Sequence, residues 1–444
     1  MLSQAIFTTS EIEEILSSAT QIKAMLAFES ALAKAEYREG IIPSAAAAVI
    51  QAVCVSAQFD ADNLEKQTLL TGNPAIPFVK HLIQKVKECD TEAAKYVHFG
   101  GTSQDVLDTS MMVQLKAALT HILQDINNLE RKLAELALLH KDSLMIGRTL
   151  LQQARPITFG YKVATWLDAI SRSKKRVEQV KKENLTLQFG GAVGTLSTLG
   201  KAALRVKAVM ANELDLNDSP ITWHGQRDRF AEIVSHLGIL NGNLGKIAKD
   251  IILLMQTEVA EVFEGAAEGK GGSSAMPHKR NPVSSVFMSA IAARTPALVA
   301  TFLSAMVQEH ERAAGNWHAE WQVMTDLMKL TAANLNHAND LIGHLEIDTN
   351  RMLHNLELTQ GLIFAEDITA ALSPKMGKAA AHGFVEQACK AALKEKQHLK
   401  TYLLEKTDIL AQVTEGVLNT LFEAKNSIGA STNFVDNVLK NVNT

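Results

Sequence analysis

Along two stretches of this chain apolar residues recur at the three- to four-residue spacing of a helix face. From Arg227 onward the stripe is Phe230, Val234, Leu237, Leu244, Ile247, Ile251 and Leu254. The spacing predicts a helix that could run on to about Phe263, longer than an ordinary helix of about three turns. From Met111 to Leu139 the stripe is Met112, Leu115, Leu119, Ile122, Ile126, Leu129, Leu133 and Leu136. That spacing is close to a heptad and suits packing in a bundle. No segment alternates apolar and polar residues convincingly, and the long β-branched clusters that a parallel sheet needs are missing.

Proline placement points the same way. The nine prolines stand at 43, 74, 77, 156, 220, 277, 282, 296 and 374. None falls between Pro156 and Pro220 or between Pro296 and Pro374, which leaves room for long helices. The expectation is an all-α fold in three helical domains. The first covers 1–110 and ends near the loop Val97–Ser103. A central long-helix bundle covers 111–355, and a C-terminal helical domain covers 356–444, with a break around Ser373-Pro374. Wide apolar arcs of this kind bury themselves in the chain's own core or against another subunit, and the first is the commoner outcome.

Composition narrows the function classes. With 444 residues, 47% hydrophobic and 21% charged, the chain can bury a large core. A net charge of −4 gives no basis for a nucleic acid or an anionic membrane as partner. The three cysteines, Cys54, Cys89 and Cys389, form no Cys-x-x-Cys pair. That argues against a disulfide framework or a thiolate zinc site and for reduced thiols in the cytoplasm. Met1–Phe7 is too short for a signal peptide, and no unbroken run of about 18 apolar residues predicts a membrane span. Gly190-Gly191-Ala192-Val193-Gly194-Thr195 fits neither dinucleotide nor Walker loop and reads as a tight helix connection. His310, Glu311 and His318 lack metalloprotease spacing. No cofactor and no metal are expected.

Chemistry concentrates in five segments. In Gly272-Ser273-Ser274-Ala275-Met276-Pro277-His278-Lys279-Arg280-Asn281-Pro282, glycines free the front of a loop and two prolines stiffen its back. Hydroxyl, ammonium and amide groups there could close over a small anion and exclude water. In His98–Thr109, glycines precede Thr102 and Ser103, and a helix follows. Either hydroxyl could simply cap that helix, or the helix end could bind a carboxylate. Gly147–Pro156 offers Thr149, Gln152 and Gln153 as hydrogen-bonding groups. His224, beside Gly225 at a helix entrance, could bind a carboxylate or donate a proton. Asp228 with Arg229 reads as a salt bridge, and Glu258 as either a positioning group or a solvated one. The fifth segment runs from Gln308-Glu309-His310-Glu311-Arg312 to Trp321.

The loop resembles the Gly-Ser-Ser-x-Met-Pro-x-Lys-x-Asn-Pro signature of the fumarase/aspartase superfamily, with every fixed position filled. The resemblance extends over almost the whole chain. It implies a homotetramer with a shared central bundle and active sites drawn from three subunits. It assigns Ser273 as the proton carrier, with Lys279 and Asn281 stabilising an enediolate-like intermediate and Ser274 and Met276 lining the site. It also implies that Thr102, Ser103 and Gln104 hold one carboxylate and that Arg312 clamps another. At one position the chain departs. The superfamily's Gly-Arg-Thr-His becomes Gly147-Arg148-Thr149-Leu150, so this segment supplies no imidazole. That departure resembles the branch that closes a lactone from a small tricarboxylate. A fumarate-releasing lyase such as adenylosuccinate lyase, and a non-catalytic relative, remain alternative readings.

Overall fold

A computed structural model describes residues 2–265, 271, 272, 276 and 278–442. The protein is mostly helical and divides into two compact units. One comprises residues up to Ile126, Ser173–Leu244 and Ala290–Asn336; the other comprises Asn127–Arg172, Gly245–Ser289 and the chain from His337 onward. Five long helices contribute segments to both: Ser103–Leu139, Phe159–Glu183, Asp228–Leu254, Val283–Ala305 and Asn316–Gly343.

Both apolar stripes are the buried faces of helices. Met112, Leu115, Leu119, Ile122, Ile126, Leu129 and Leu133 are all buried, whereas Leu136 is only partly so and Ala137 takes over the inner face. This helix begins at Ser103, before the stripe does. The second helix buries Phe230, Val234, Leu237, Leu244, Ile247, Ile251 and Leu254 and stops at Leu254, short of Phe263. The chain reverses there. The Gln256 carbonyl accepts the N–H groups of Val259 and Ala260, and Ala260 takes φ 49°. Val262–Phe263 then pairs antiparallel with Glu346–Ile347.

The chain is mostly helical as expected, but the reading that it contains no strand needs correction. Leu144–Thr149 and Gln152–Thr158 form an antiparallel hairpin. Its pattern is hidden because the register slips between Ile146 and Arg148 and because Pro156 lies within the second strand. The turn is made by Leu150 and Leu151, with φ 50° and 64°. These are turn conformations normally left to Asn or Gly.

One proline reading also changes. Pro374 lies within the helix Ala365–Met376, and the break falls at Gly377, whose φ of 82° ends the helix. Pro296 lies inside Val283–Ala305. That helix is long and apolar enough to cross a membrane, although Arg294 and scattered hydroxyls interrupt any unbroken apolar run. Little of it is buried within the chain.

In the first unit, helices Ser18–Arg38 and Ser44–Ser56 pack side by side, with Ile22, Met25, Leu26, Phe28 and Leu32 inward. Ser17 caps the first of these through the Thr20 N–H. Glu36 is fully buried on that helix, and neither carboxyl oxygen has a partner. Burial, with Glu29 adding repulsion, pushes its pKa from 4.5 up to about 9. The native protein therefore holds a proton there that the unfolded chain releases above about 4.5. The stability linked to this group is fully present below that pH and is lost as pH rises toward about 9. Glu36→Gln should remove this slope. Its unfolding midpoint in urea should gain on that of the parent from pH 6 to 9, and parallel profiles would contradict the assignment. In the second unit, the C-terminal helices close a separate core around Ile363, Phe364, Ile368, Leu372, Leu399 and Leu403.

Candidate functional site

The head of the helix Ser103–Leu139 is organised by Asp105, a residue that sequence reasoning missed. Its Oδ2 accepts the Thr102 N–H at 3.1 Å, half of a capping box. The same carboxylate accepts the N–H groups of Gly190 and Gly191, each at 2.9 Å, and His224 Nε2 lies 2.7 Å from Oδ1. Four donors on one fully buried carboxylate tie together three distant segments. Glycine is required at 190 because a Cβ there would sit 2.8 Å from both His224 Cε1 and Thr222 Cγ2. Gly191 has φ 69°. The segment read as a helix connection is thus a backbone cradle for Asp105.

Arg312 reaches the same helix head. Its guanidinium donates to Thr102 Oγ1 at 3.0 Å and to Ser103 Oγ at 3.3 Å. Two hydroxyls, a helix N-terminus and a half-buried arginine together suit a carboxylate. Gln104, expected beside them, is buried instead. Its amide nitrogen donates to Asp108 Oδ2 at 3.1 Å and to the His224 carbonyl at 3.0 Å. His224 is also buried, and with Nε2 held by Asp105 only Nδ1 remains for any other partner.

One helical turn further on stands a buried ion cluster. Arg227 is held bidentately by Asp108, at 2.7 and 3.0 Å, and by Glu320, at 2.7 to 3.0 Å. Gln308 Nε2 donates to Glu320 at 2.6 Å, and Trp317 Nε1 donates to Asp108 at 3.0 Å. Arg227 also lies over the rings of Trp223 and Phe230. Burial pushes the Glu320 pKa up to about 7 against the pull of Arg227, and Asp108 adds to the rise. The cluster lines a cavity of about 440 Å³ together with Met25, Leu64, Leu107 and Met324. The sequence reading fixed on Asp228 and Arg229, yet it is Arg227 that lies at the centre of the buried charge.

In the second unit, Thr149 and Gln152 face each other across the hairpin turn and are exposed. The turn residues Leu150 and Leu151 are 96% and 74% exposed. Gln153 Nε2 donates to the Asn355 carbonyl at 3.1 Å, and its Oε1 is buried without a partner. Next to Thr149, Arg148 makes a bidentate pair with the fully buried Glu261, which also accepts from Asn355. Glu258 contributes its carbonyl to Arg351.

Ser273 and Ser274 lie outside the described residues. Of the same loop, Met276 and Lys279 are exposed and Asn281 is half-buried. The described part of the loop's back is anchored by other residues. The Asn281 N–H donates to the Gly271 carbonyl, and Arg280 pairs bidentately with Glu346 at 2.9 Å. The buried Glu264 accepts from the Ser284 and Ser285 N–H groups at the start of the next helix. Among the described residues no group of three His, Cys, Asp or Glu side chains could hold a metal ion.

Comparison with known proteins places these features in context. Residues 3–296 match a family model described as Lyase, and residues 361–438 one described as Adenylosuccinate lyase C-terminus. The 3-carboxy-cis,cis-muconate cycloisomerase of Pseudomonas aeruginosa is 44% identical over 438 residues, covering 99% of this chain and 95% of that protein. The crystal structure of the 3-carboxy-cis,cis-muconate lactonizing enzyme from Pseudomonas putida superposes with a TM-score of 0.94 at 39% identity, covering 100% of this chain and 99% of that one. Another relative, trans-aconitate decarboxylase 1 of Mycosarcoma maydis, is 36% identical over 434 residues, covering 98% of this chain and 87% of that protein.

Proposed function

The chain belongs to the fumarase/aspartase superfamily of lyases, and from that premise we propose that it acts as a cycloisomerase on 3-carboxy-cis,cis-muconate. One substrate carboxylate oxygen forms a C–O bond to an alkene carbon of the same molecule. The displaced alkene pair moves toward the carbon next to a second carboxylate and is delocalised onto that carboxylate as an enediolate. Lys279 and Asn281 stabilise that charge, and the Ser273 hydroxyl delivers the proton that completes the γ-lactone, 4-carboxymuconolactone, its alkoxide then taking a proton from solvent. Ser274 and Met276 line the closed loop. Thr102, Ser103 and Arg312 hold a carboxylate at the helix head, and Thr149, Gln152 and Gln153 contribute hydrogen bonds. Fixing nucleophile and alkene together supplies the entropic part of the rate.

The observation that carries this reading is the similarity to cycloisomerases along 99% of the chain at 44% identity. Leu150 agrees with it, because that position offers no imidazole for elimination chemistry. In this reading the protein is a homotetramer whose sites are completed by neighbouring subunits. The support is Val283–Ala305, apolar yet little buried within the chain, with Val286 and Leu303 exposed.

The deciding experiment follows the ultraviolet absorbance of 3-carboxymuconate and identifies the product by NMR. Loss of the diene signal with appearance of the γ-lactone is the expected result. Fumarate release from adenylosuccinate, or decarboxylation of trans-aconitate, with carboxymuconate untouched would overturn the reading. No turnover of any of these acids by folded tetramer would indicate a non-catalytic relative.

A further inference from the structure

The cavity of about 440 Å³ beside Arg227 is large enough for a small organic molecule. Every residue that lines it belongs to the first unit, and Thr102, Ser103 and Arg312 are not among them. It is therefore a different place from the helix head where a carboxylate fits. Met25, Leu64, Phe302 and Met324 are buried in its walls, whereas Ser18, Glu65 and Gln322 are exposed and mark its opening to solvent.

Its charge sets it apart further. The charged residues of the lining are Glu65, Asp108, Glu320 and Arg227, three carboxyl groups against one guanidinium. Asp108 and Glu320, both buried, share that guanidinium. Their other donors, Gln104, Gln308 and Trp317, are neutral. Arg312 also attracts Asp108, but it donates to Thr102 and Ser103. Two buried carboxylates beside a single cation are costly. An anion entering the cavity would meet like charge, so a polycarboxylate is the wrong ligand for it. A cation would balance the cluster.

We propose that this cavity binds a small apolar amine, with the ammonium beside Asp108 and Glu320 and the hydrocarbon body against Met25, Leu64, Phe302 and Trp321. Such a ligand supplies a second cation and leaves Arg227 in place. The rings of Phe302 and Trp321 suit an aryl group on the ligand. The site is independent of the proposed reaction, and its ligand is opposite in charge to that reaction's substrate.

Binding is linked to one proton. Glu320 faces Arg227 at the start of the helix Asp228–Leu254, Asp108 on Ser103–Leu139 and Gln308 before its own helix, with Glu65 on Ala61–Thr71 across the cavity. Burial, with Asp108 adding to it, holds the Glu320 carboxyl at about 7, so near neutrality it relieves the crowding by taking a proton. An ammonium favours the ionised form and displaces that proton, so the amine binds more tightly as pH rises through about 7.

The test uses the intact protein and two probes of similar shape, 2-phenylethylamine and 3-phenylpropionate, with binding measured by calorimetry from pH 6 to 8. The amine should bind and the acid should not. Affinity for the amine should rise about tenfold over that range, the change in ionised fraction of a carboxyl that titrates at about 7. At pH 7 binding should release protons, read as a heat that varies with the ionisation enthalpy of the buffer. Glu320→Gln should flatten the pH profile and abolish the proton release. Thr325→Trp fills the cavity from a lining residue that has no part in the ion cluster, and it should weaken binding at least tenfold. Failure of the amine to bind, equal binding of the acid, or a flat profile in the parent would each overturn the proposal. So would a profile that Glu320→Gln leaves unchanged, or binding that survives in folded Thr325→Trp. Should the tryptophan variant not fold, the acid probe and Glu320→Gln still decide.

Discussion

Ser273→Ala is expected to lower turnover of 3-carboxymuconate by about a thousandfold, within the range for a lost acid–base group, while the protein folds and assembles normally. A serine hydroxyl is a weak acid and a weaker base in water. It becomes useful only where its alkoxide is stabilised, and in the proposed mechanism Lys279 and the amides of the glycine-rich loop take that role. The anchoring of the loop's back supports that division of labour. Arg280 is held by Glu346, and Glu264 fixes the start of the following helix through Ser284 and Ser285. In the sequence, Lys279 and Asn281 flank the anchored Arg280. The comparison variant is Ser274→Ala, measured for kcat and KM with assembly checked by light scattering. If Ser274→Ala loses the turnover and Ser273→Ala keeps it, the proton moves through the other hydroxyl. If both remain active, the loop does not supply the acid.

The long helices are legible in the sequence because burial of one face is a local, periodic property. Met112 to Leu133 and Phe230 to Leu254 announce themselves, and the structure buries each of those stripe residues. The hairpin is not legible, for reasons equally physical. A register slip at Gly147 breaks its alternation, and Leu150 and Leu151 adopt positive φ against their own propensity. The end of the second helix is hidden in the same way, because Ala260 in the left-handed region carries no sequence mark of a turn. At the site, hydroxyls, cation and glycines can be read from the motifs. Their buried partners cannot, since Asp105 meets Gly190, Gly191 and His224 only after folding. An acidic residue three positions past a capping threonine was the available signal for Asp105.

Arg227→Ala is expected to destabilise the protein by on the order of 3–5 kcal/mol, because it leaves two buried carboxylates facing each other without a cation. Among the described residues, Asp108 and Glu320 would retain Gln308, Trp317 and Gln104 as donors, none of them charged. The sign with pH follows from Glu320. Its pKa, already raised to about 7, would climb further without Arg227, so the variant should suffer most above neutrality and recover toward acid as the Glu320 carboxyl binds a proton. Glu320→Gln in the Arg227→Ala background should restore part of the loss, since it removes one of the two opposed charges. The four proteins of this cycle are compared by urea unfolding at pH 6 and pH 8. A double variant no more stable than Arg227→Ala at pH 8 would mean that the damage comes from lost packing against Trp223 and Phe230 rather than from unpaired charge. The outcome also bears on the site, because Gln104 joins Asp108 to the His224 carbonyl while Asp105 holds the same histidine's ring. If the cluster positions the helix head, Arg227→Ala should raise KM for carboxymuconate even at pH 6, where the fold is least affected.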